Sequence, residues 1–269
     1  MKTIKSLLIA LLFFSAASTQ AQCAFHNDAF KSGEFLTYNL YYNWQFVWVK
    51  AGTASMSIVQ RVYGGKQAYR GSLITRGSDR VDNFFVLRDT LLCYSTLDMA
   101  PLYFRKGARE GKRYTVDEVF YSYPGGKCQI RQHRLNHEGK HFWEKNTFNE
   151  CVYDMMNIFL RARSFNPEGW KSGYDINFII ADGNDTLSAI LRYQGKSNIK
   201  ADNGKKYRCL ELSYIETKDG KEKEIARFFV TDDTNHVPIR IDMNLKFGTA
   251  KAFLIGMKGL RSSVNAEIK

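Results

Sequence analysis

The sequence predicts a mainly β protein, an antiparallel meander curled into an open barrel or a two-sheet sandwich, with one packed α-helix near 150–163. Three observations carry this. Apolar and polar residues alternate at period two through about a dozen segments, as they do in half-buried strands. Short turns rich in Gly, Asn and Asp join those segments and leave no room for the crossover helices of a parallel sheet. A single stretch has helical spacing.

The first strand spans 34–44, where Leu36, Tyr38, Leu40, Tyr42 and Trp44 share one face and Asn39 and Asn43 the other. The same texture recurs at 52–62, 67–76, 84–95, 101–106, 113–123 and 127–135. It returns at 174–181, 186–198, 206–216, 225–231, 237–246 and 250–257. Gly64-Gly65, Pro124-Gly125-Gly126, Asp182-Gly183-Asn184, Asp202-Asn203-Gly204 and Asp219-Gly220 mark turns. Pro101, Pro124 and Pro238 fall at strand ends, where a missing N–H is tolerated. From Glu150 to Arg163, Val152, Met155, Met156, Phe159 and Leu160 form an apolar stripe, with Asn149 placed to cap its start and Pro167 beyond its end. The flanking halves, about 30–148 and 170–258, share a Gly-Lys run before one strand and an acidic turn followed by proline before another. Internal duplication and generic hairpin chemistry both account for that likeness.

Residues 1–21 read as a secretory leader: Lys2 and Lys5, an apolar run from Leu7 to Ala17, and a small-residue cleavage site after Ala21. No later segment approaches the ~20 apolar residues of a membrane-spanning helix. Gln22 before Cys23 argues against lipid attachment, so the expectation is a soluble exported or periplasmic protein, with 22–269 forming one domain. Without Lys2 and Lys5 the formal charge falls from +12 to +10, which fits anionic envelope partners and, equally, a solvated basic surface with no particular partner. Nucleic acid is not expected for an exported chain. Cys23, Cys93, Cys128, Cys151 and Cys209 match no redox or zinc spacing; buried thiols with at most one bridge are expected.

His137-Glu138-Gly139-Lys140-His141 spells H-E-x-x-H, which grips zinc only on a helix, where both imidazoles share a face. Asn136 and Gly139 give the segment the composition of a hairpin tip, so a chance string in a turn is the expected reading, and no cofactor is assigned. Other catalytic constellations are missing from the sequence, and Asp79, Asp82, Asp89 and Asp98 read as structural or turn residues. Tyr42, Trp44, Phe46 and Trp48 alternate through one strand and its continuation, either as core or as the lining of an apolar or glycan pocket. Arg105, Lys106, Arg109, Lys112 and Arg113 crowd one hairpin, with Gly107 and Gly111 in its turn, as a candidate site for phosphate or carboxylate groups.

The run Phe30 to Tyr38 with Ala51-Gly52-Thr53-Ala54 resembles the opening of a family of exported bacterial proteins of unknown function, DUF 3108. Asp154 to Arg161 is similar to that family's helix, and Phe229 to Asp233 with Val237 to Ile241 to its end. The resemblance, over about 30–258, implies an exported β-rich fold and no established activity. The functional expectation is a non-enzymatic envelope protein that binds an amphiphilic or glycan component, an anionic lipid or glycan. The alternatives are an assembly partner bound through a sheet edge and, less favoured, a zinc hydrolase built on His137, Glu138 and His141.

Overall fold

The computed structural model describes residues 23–44, 47–83, 86–245 and 248–269. The predicted leader lies outside these, as do Phe46 and the side chain of Trp44. The strands are β1 (Glu34–Trp44), β2 (Val47–Tyr63), β3 (Lys66–Gly77), β4 (Leu87–Ser95), β5 (Pro101–Glu110), β6 (Arg113–Ser122), β7 (Cys128–Leu135), β8 (His141–Phe148) and β9 (Val152–Tyr153). They continue with β10 (Tyr174–Asp182), β11 (Asp185–Lys200), β12 (Lys206–Lys218), β13 (Lys221–Thr231), β14 (Pro238–Asn244), β15 (Thr249–Lys258) and β16 (Glu267–Ile268). A short α1 (Asp79–Asp82) precedes β4, and α2 (Met155–Arg163) follows β9.

One continuous sheet runs β8-β7-β6-β5-β4-β3-β2-β1-β15-β14-β13-β12-β11-β10-β9, and β16 adds to β12. Sequential hairpins build each half, and β1 joins β15 antiparallel from Phe35↔Lys258 to Tyr42↔Ala250. The barrel form of the predicted fold is the one observed: a nearly closed barrel with one seam, between the β7–β8 and β9–β10 sides. Gln132 of β7 reaches across that seam, its Nε2 donating to the carbonyls of Gly183 (3.0 Å) and Asp185 (2.8 Å). Strand registers place the turns 110–113, 135–141 and 182–185 at one end, here called the mouth.

The predicted helix is shorter than its apolar stripe. Val152 and Tyr153, an aromatic and β-branched pair suited to a pleated surface, bond instead in parallel to Ile179 and Ile180. The helix starts at Met155 with Asp154 as its cap, not Asn149; the Asp154 side chain accepts from the amides of Met156 (3.0 Å) and Asn157 (2.9 Å). Gly107 lies within β5, and the hairpin turns at 111–112.

The barrel is filled. Phe30, Leu36, Ile58, Ile130, Leu160, Ile239 and Leu254 are fully buried in one cluster, and α2 packs directly on the β3–β4 wall. A Cβ on Gly71 would lie 2.9 Å from Cys93 Sγ, 3.4 Å from Leu160 Cδ1 and 3.5 Å from Met156 Cε. That close approach is why glycine stands there. Arg163 at the end of α2 forms a buried ion pair with Glu34 of β1. Cys23 and Cys151 form a disulfide that ties the N-terminal segment to the β8–β9 link. Cys93, Cys128 and Cys209 are buried free thiols; burial pushes all three up, Cys209 to about 12, so they stay protonated and unreactive. Among the described residues no helix is long and apolar enough to cross a membrane.

Candidate functional site

Pleating divides the basic hairpin. Side chains one residue apart point to opposite faces of a strand, so Lys106 faces the barrel interior while Arg105 and Arg109 face outward. Arg105 Nη2 donates to Tyr114 Oη at 3.2 Å. Lys112 is exposed in the turn, and Arg113 returns to the inner side. The five residues therefore do not form one cluster. Two of them, Lys106 and Arg113, meet at a cavity of about 290 Å³ beside the seam.

The cavity has a layered wall. Lys106 of β5, Asp117 of β6 and Arg134 of β7 lie opposite one another in one cross-strand row and form its floor. One row toward the mouth, Ala108 pairs with Thr115, and these small side chains open the space. Glu110 and Arg113 pair at the rim. Asp182 from the β10–β11 turn and His137 from the β7–β8 turn complete the lining across the seam. Asp117 is only 8% exposed, and its Oδ1 has no hydrogen-bond partner; Arg134 Nε stands 3.7 Å away. Burial raises the Asp117 pKa against the pull of Arg134 and Lys106.

Asp89, read from sequence as structural, lies beside this wall, opposite Ala108. Burial, reinforced by Glu110, pushes its pKa up to about 6 from 3.8. A carboxyl whose folded pKa is raised stabilises the protein relative to the unfolded chain only at low pH. That contribution is intact below about 3.8 and is lost as pH rises through about 6. Asp89→Asn is therefore expected to raise Tm by a few degrees at pH 8, with the gain vanishing near pH 4, in paired thermal melts. A constant offset at both values would contradict this. Asp82 pairs instead with Arg88, and Asp98 with Thr96.

The H-E-x-x-H string is a turn. Asn136 Oδ1 accepts from the amides of Glu138 (3.0 Å) and Lys140 (2.9 Å), and Gly139 adopts φ +79°. His137 faces the seam cavity, whereas His141 turns onto the outer face. There His133 Nε2 lies 2.8 Å from His141 Nδ1, and His133 Nδ1 lies 2.8 Å from Glu118 Oε2. Glu118 also accepts from the Tyr103 hydroxyl. Burial alone would raise the Glu118 pKa, but these hydrogen bonds hold it below the usual range. Among the described residues no group of three or more His, Cys, Asp or Glu has the geometry to hold a metal ion.

An aromatic strip crosses the same outer face. Tyr63 stacks on Tyr94 at 4.5 Å, Tyr94 lies 6.5 Å from Tyr103, and Tyr103 is 5.1 Å from Phe120. Arg131 lies over both Phe120 (4.9 Å) and Trp143 (5.0 Å), and Trp143 stacks on His133 at 4.2 Å. Sequence reasoning missed this strip and the buried carboxylate of Asp117 in the cavity floor, because both depend on cross-strand register. Tyr42 and Trp48 do not share a lining. The hairpin after β1 and a bulge at Leu40/Tyr41 pair Tyr42 with Val49 and Asn43 with Trp48, so Trp48 joins the outer face. Lys251 Nζ sits 4.7 Å over its ring.

The model of a family described as proteins of unknown function, DUF3108, matches residues 37–255. The chain belongs to the DUF3108 family. No curated protein matches it. Among solved structures, this DUF3108 chain is similar to a beta-barrel-like protein of domain of unknown function DUF1849 from Brucella abortus. The two share 10% identity with a TM-score of 0.54, over 84% of this chain and 96% of that one. That likeness is one of fold. A candidate exported protein with a YmcC-like fold from Bacteroides fragilis aligns at 9% identity and a TM-score of 0.36, over 88% of this chain and all of the other.

Proposed function

We propose that this DUF3108 protein is exported and, as a single domain over 22–269, binds a glycan component of the cell envelope at the seam cavity without chemical turnover. One observation carries the choice between glycan and lipid: the barrel interior is occupied by α2 and buried side chains, while the open cavity beside the seam is walled by charged and hydroxyl groups. An acyl chain needs an apolar void; a sugar needs several polar groups fixed around a small concavity. Export is supported by the predicted leader and by the Cys23–Cys151 disulfide, since such bonds persist in oxidising compartments.

Thr115→Trp would fill the cavity without altering a charge. With envelope oligosaccharide fragments in calorimetric titration or native mass spectrometry, this variant is expected to lose binding about tenfold or more. Trp48→Ala should bind as the parent does. Equal binding by the parent and Thr115→Trp, or no binding of any fragment by the parent, would refute the reading.

A second reading is favoured by β8. This edge strand is exposed along nearly its whole length, with Phe142 45% and Trp143 53% accessible, and such an edge is a template for a partner strand. In-cell cross-linking from β8 to one dominant envelope protein would support it.

A further inference from the structure

The seam cavity steps from a charged floor to a charged rim across the small Ala108–Thr115 pair. Floor and rim are four residues apart on each strand, roughly 13 Å between Cα atoms at the usual strand rise. Long side chains reach in from both levels, and the volume of about 290 Å³ falls at the small end of ligand sites, which run from about 300 to 1,000 Å³. The space suits one sugar ring entering end-on, not the middle of a chain.

The polar groups state what that ring must carry. Asp117 Oδ1 is buried and accepts no hydrogen bond. Its ion-pair partner Arg134 Nε stands 3.7 Å away, beyond hydrogen-bond reach, and a buried acceptor without a hydrogen bond destabilises the fold unless a ligand brings a donor. The Lys106 and Arg113 side chains line the same cavity without a close ion pair or hydrogen bond to the described residues, although the Lys106 charge is felt by Asp117 and Asp89. They call for an anionic acceptor. Glu110 and Asp182 add carboxylates that would repel a bare anion yet accept from hydroxyls.

We propose that the cavity takes a single acidic sugar unit, a polyol ring bearing one carboxylate or phosphate group, at the end of a glycan. Ring hydroxyls donate to Asp117, and Lys106 and Arg113 hold the anionic group. This rests on the glycan-binding reading and narrows it.

The test is an amide NMR titration of the leader-free chain with glucose, glucuronate, glucose 6-phosphate and inorganic phosphate at neutral pH. Glucuronate, glucose 6-phosphate or both should shift the β5–β6 amides with an apparent Kd about tenfold below those of glucose and phosphate. A response to only one of the two identifies the anionic group. Arg113→Gln, at the exposed rim, should lose most of the preference for the acidic sugar over glucose. Asp117→Asn should weaken every sugar. Glucose binding as tightly as glucuronate and glucose 6-phosphate would overturn this inference and leave the glycan reading standing. Phosphate alone binding as tightly as glucose 6-phosphate would reduce the cavity to an anion site and overturn it as well. No shift with any sugar also overturns it, and the oligosaccharide titration of Thr115→Trp then decides the broader reading separately.

Discussion

Arg163→Met is expected to destabilise the protein by about 3–5 kcal/mol, the usual penalty for stranding one member of a buried ion pair. The Arg163 and Glu34 side chains are each 1% exposed. Arg163 Nη2 donates to Glu34 Oε2 at 2.9 Å and to the Asn235 carbonyl at 2.9 Å, and Nε donates to the His236 carbonyl at 3.2 Å. The guanidinium also lies 5.2 Å from the centre of the Phe30 ring. Removing it leaves a carboxylate and two carbonyls without these donors in the interior. The double variant Glu34→Leu/Arg163→Met should be more stable than Arg163→Met alone, because an apolar pair of similar volume carries no stranded charge. Urea denaturation measures both. If the single variant loses less than about 1 kcal/mol, the pair is not the structural clamp described.

Asp154→Ala is expected to lose about 3–5 kcal/mol, more than a surface helix cap contributes. Asp154 is fully buried and accepts four hydrogen bonds: two from the first-turn amides of α2, one from Asn157 Nδ2 at 2.6 Å and one from Tyr121 Oη at 2.9 Å. The cap alone is worth about 1–2 kcal/mol, and each buried donor left unsatisfied adds about 1–3. Asp154→Asn keeps the side-chain oxygen that caps the helix and should recover part of the loss. Because Tyr121 stands on β6, near-ultraviolet circular dichroism should report altered tyrosine packing in Asp154→Ala. An unchanged unfolding midpoint would show that water replaces all four contacts.

The strands were legible because each buries one face, and that burial writes period two into the chain from Glu34 to Lys258. The helix was legible in kind and wrong in extent. An apolar stripe does not distinguish Val152–Tyr153 paired to β10 from the first turn of α2, and only the buried cap at Asp154 marks the boundary. The cavity was half legible. Lys106 and Arg113 stood out as part of a basic hairpin, yet their neighbours Arg105 and Arg109 belong to the other face. Strict alternation could have separated these pairs. Asp117, Arg134 and Asp182 come from β6, β7 and a turn beyond the helix, and their meeting depends on the register of β7 and on Gln132 crossing the seam. The bulge that sends Trp48 outward is likewise a tertiary event with no mark in the local pattern. The turn at Asn136 to Lys140, by contrast, was written locally in an Asn side chain and a glycine.

The partnership of β1 with β15 bears on how the chain reaches its native form. The β1 strand must wait, with one row of its backbone groups bonded to nothing but water, until β15, which lies beyond α2 and the preceding strands of the second half of the sheet, has been made. Closure is thus a late event over a long sequence separation, slow by topology, and the nascent sheet is most exposed to aggregation just before β1 and β15 meet.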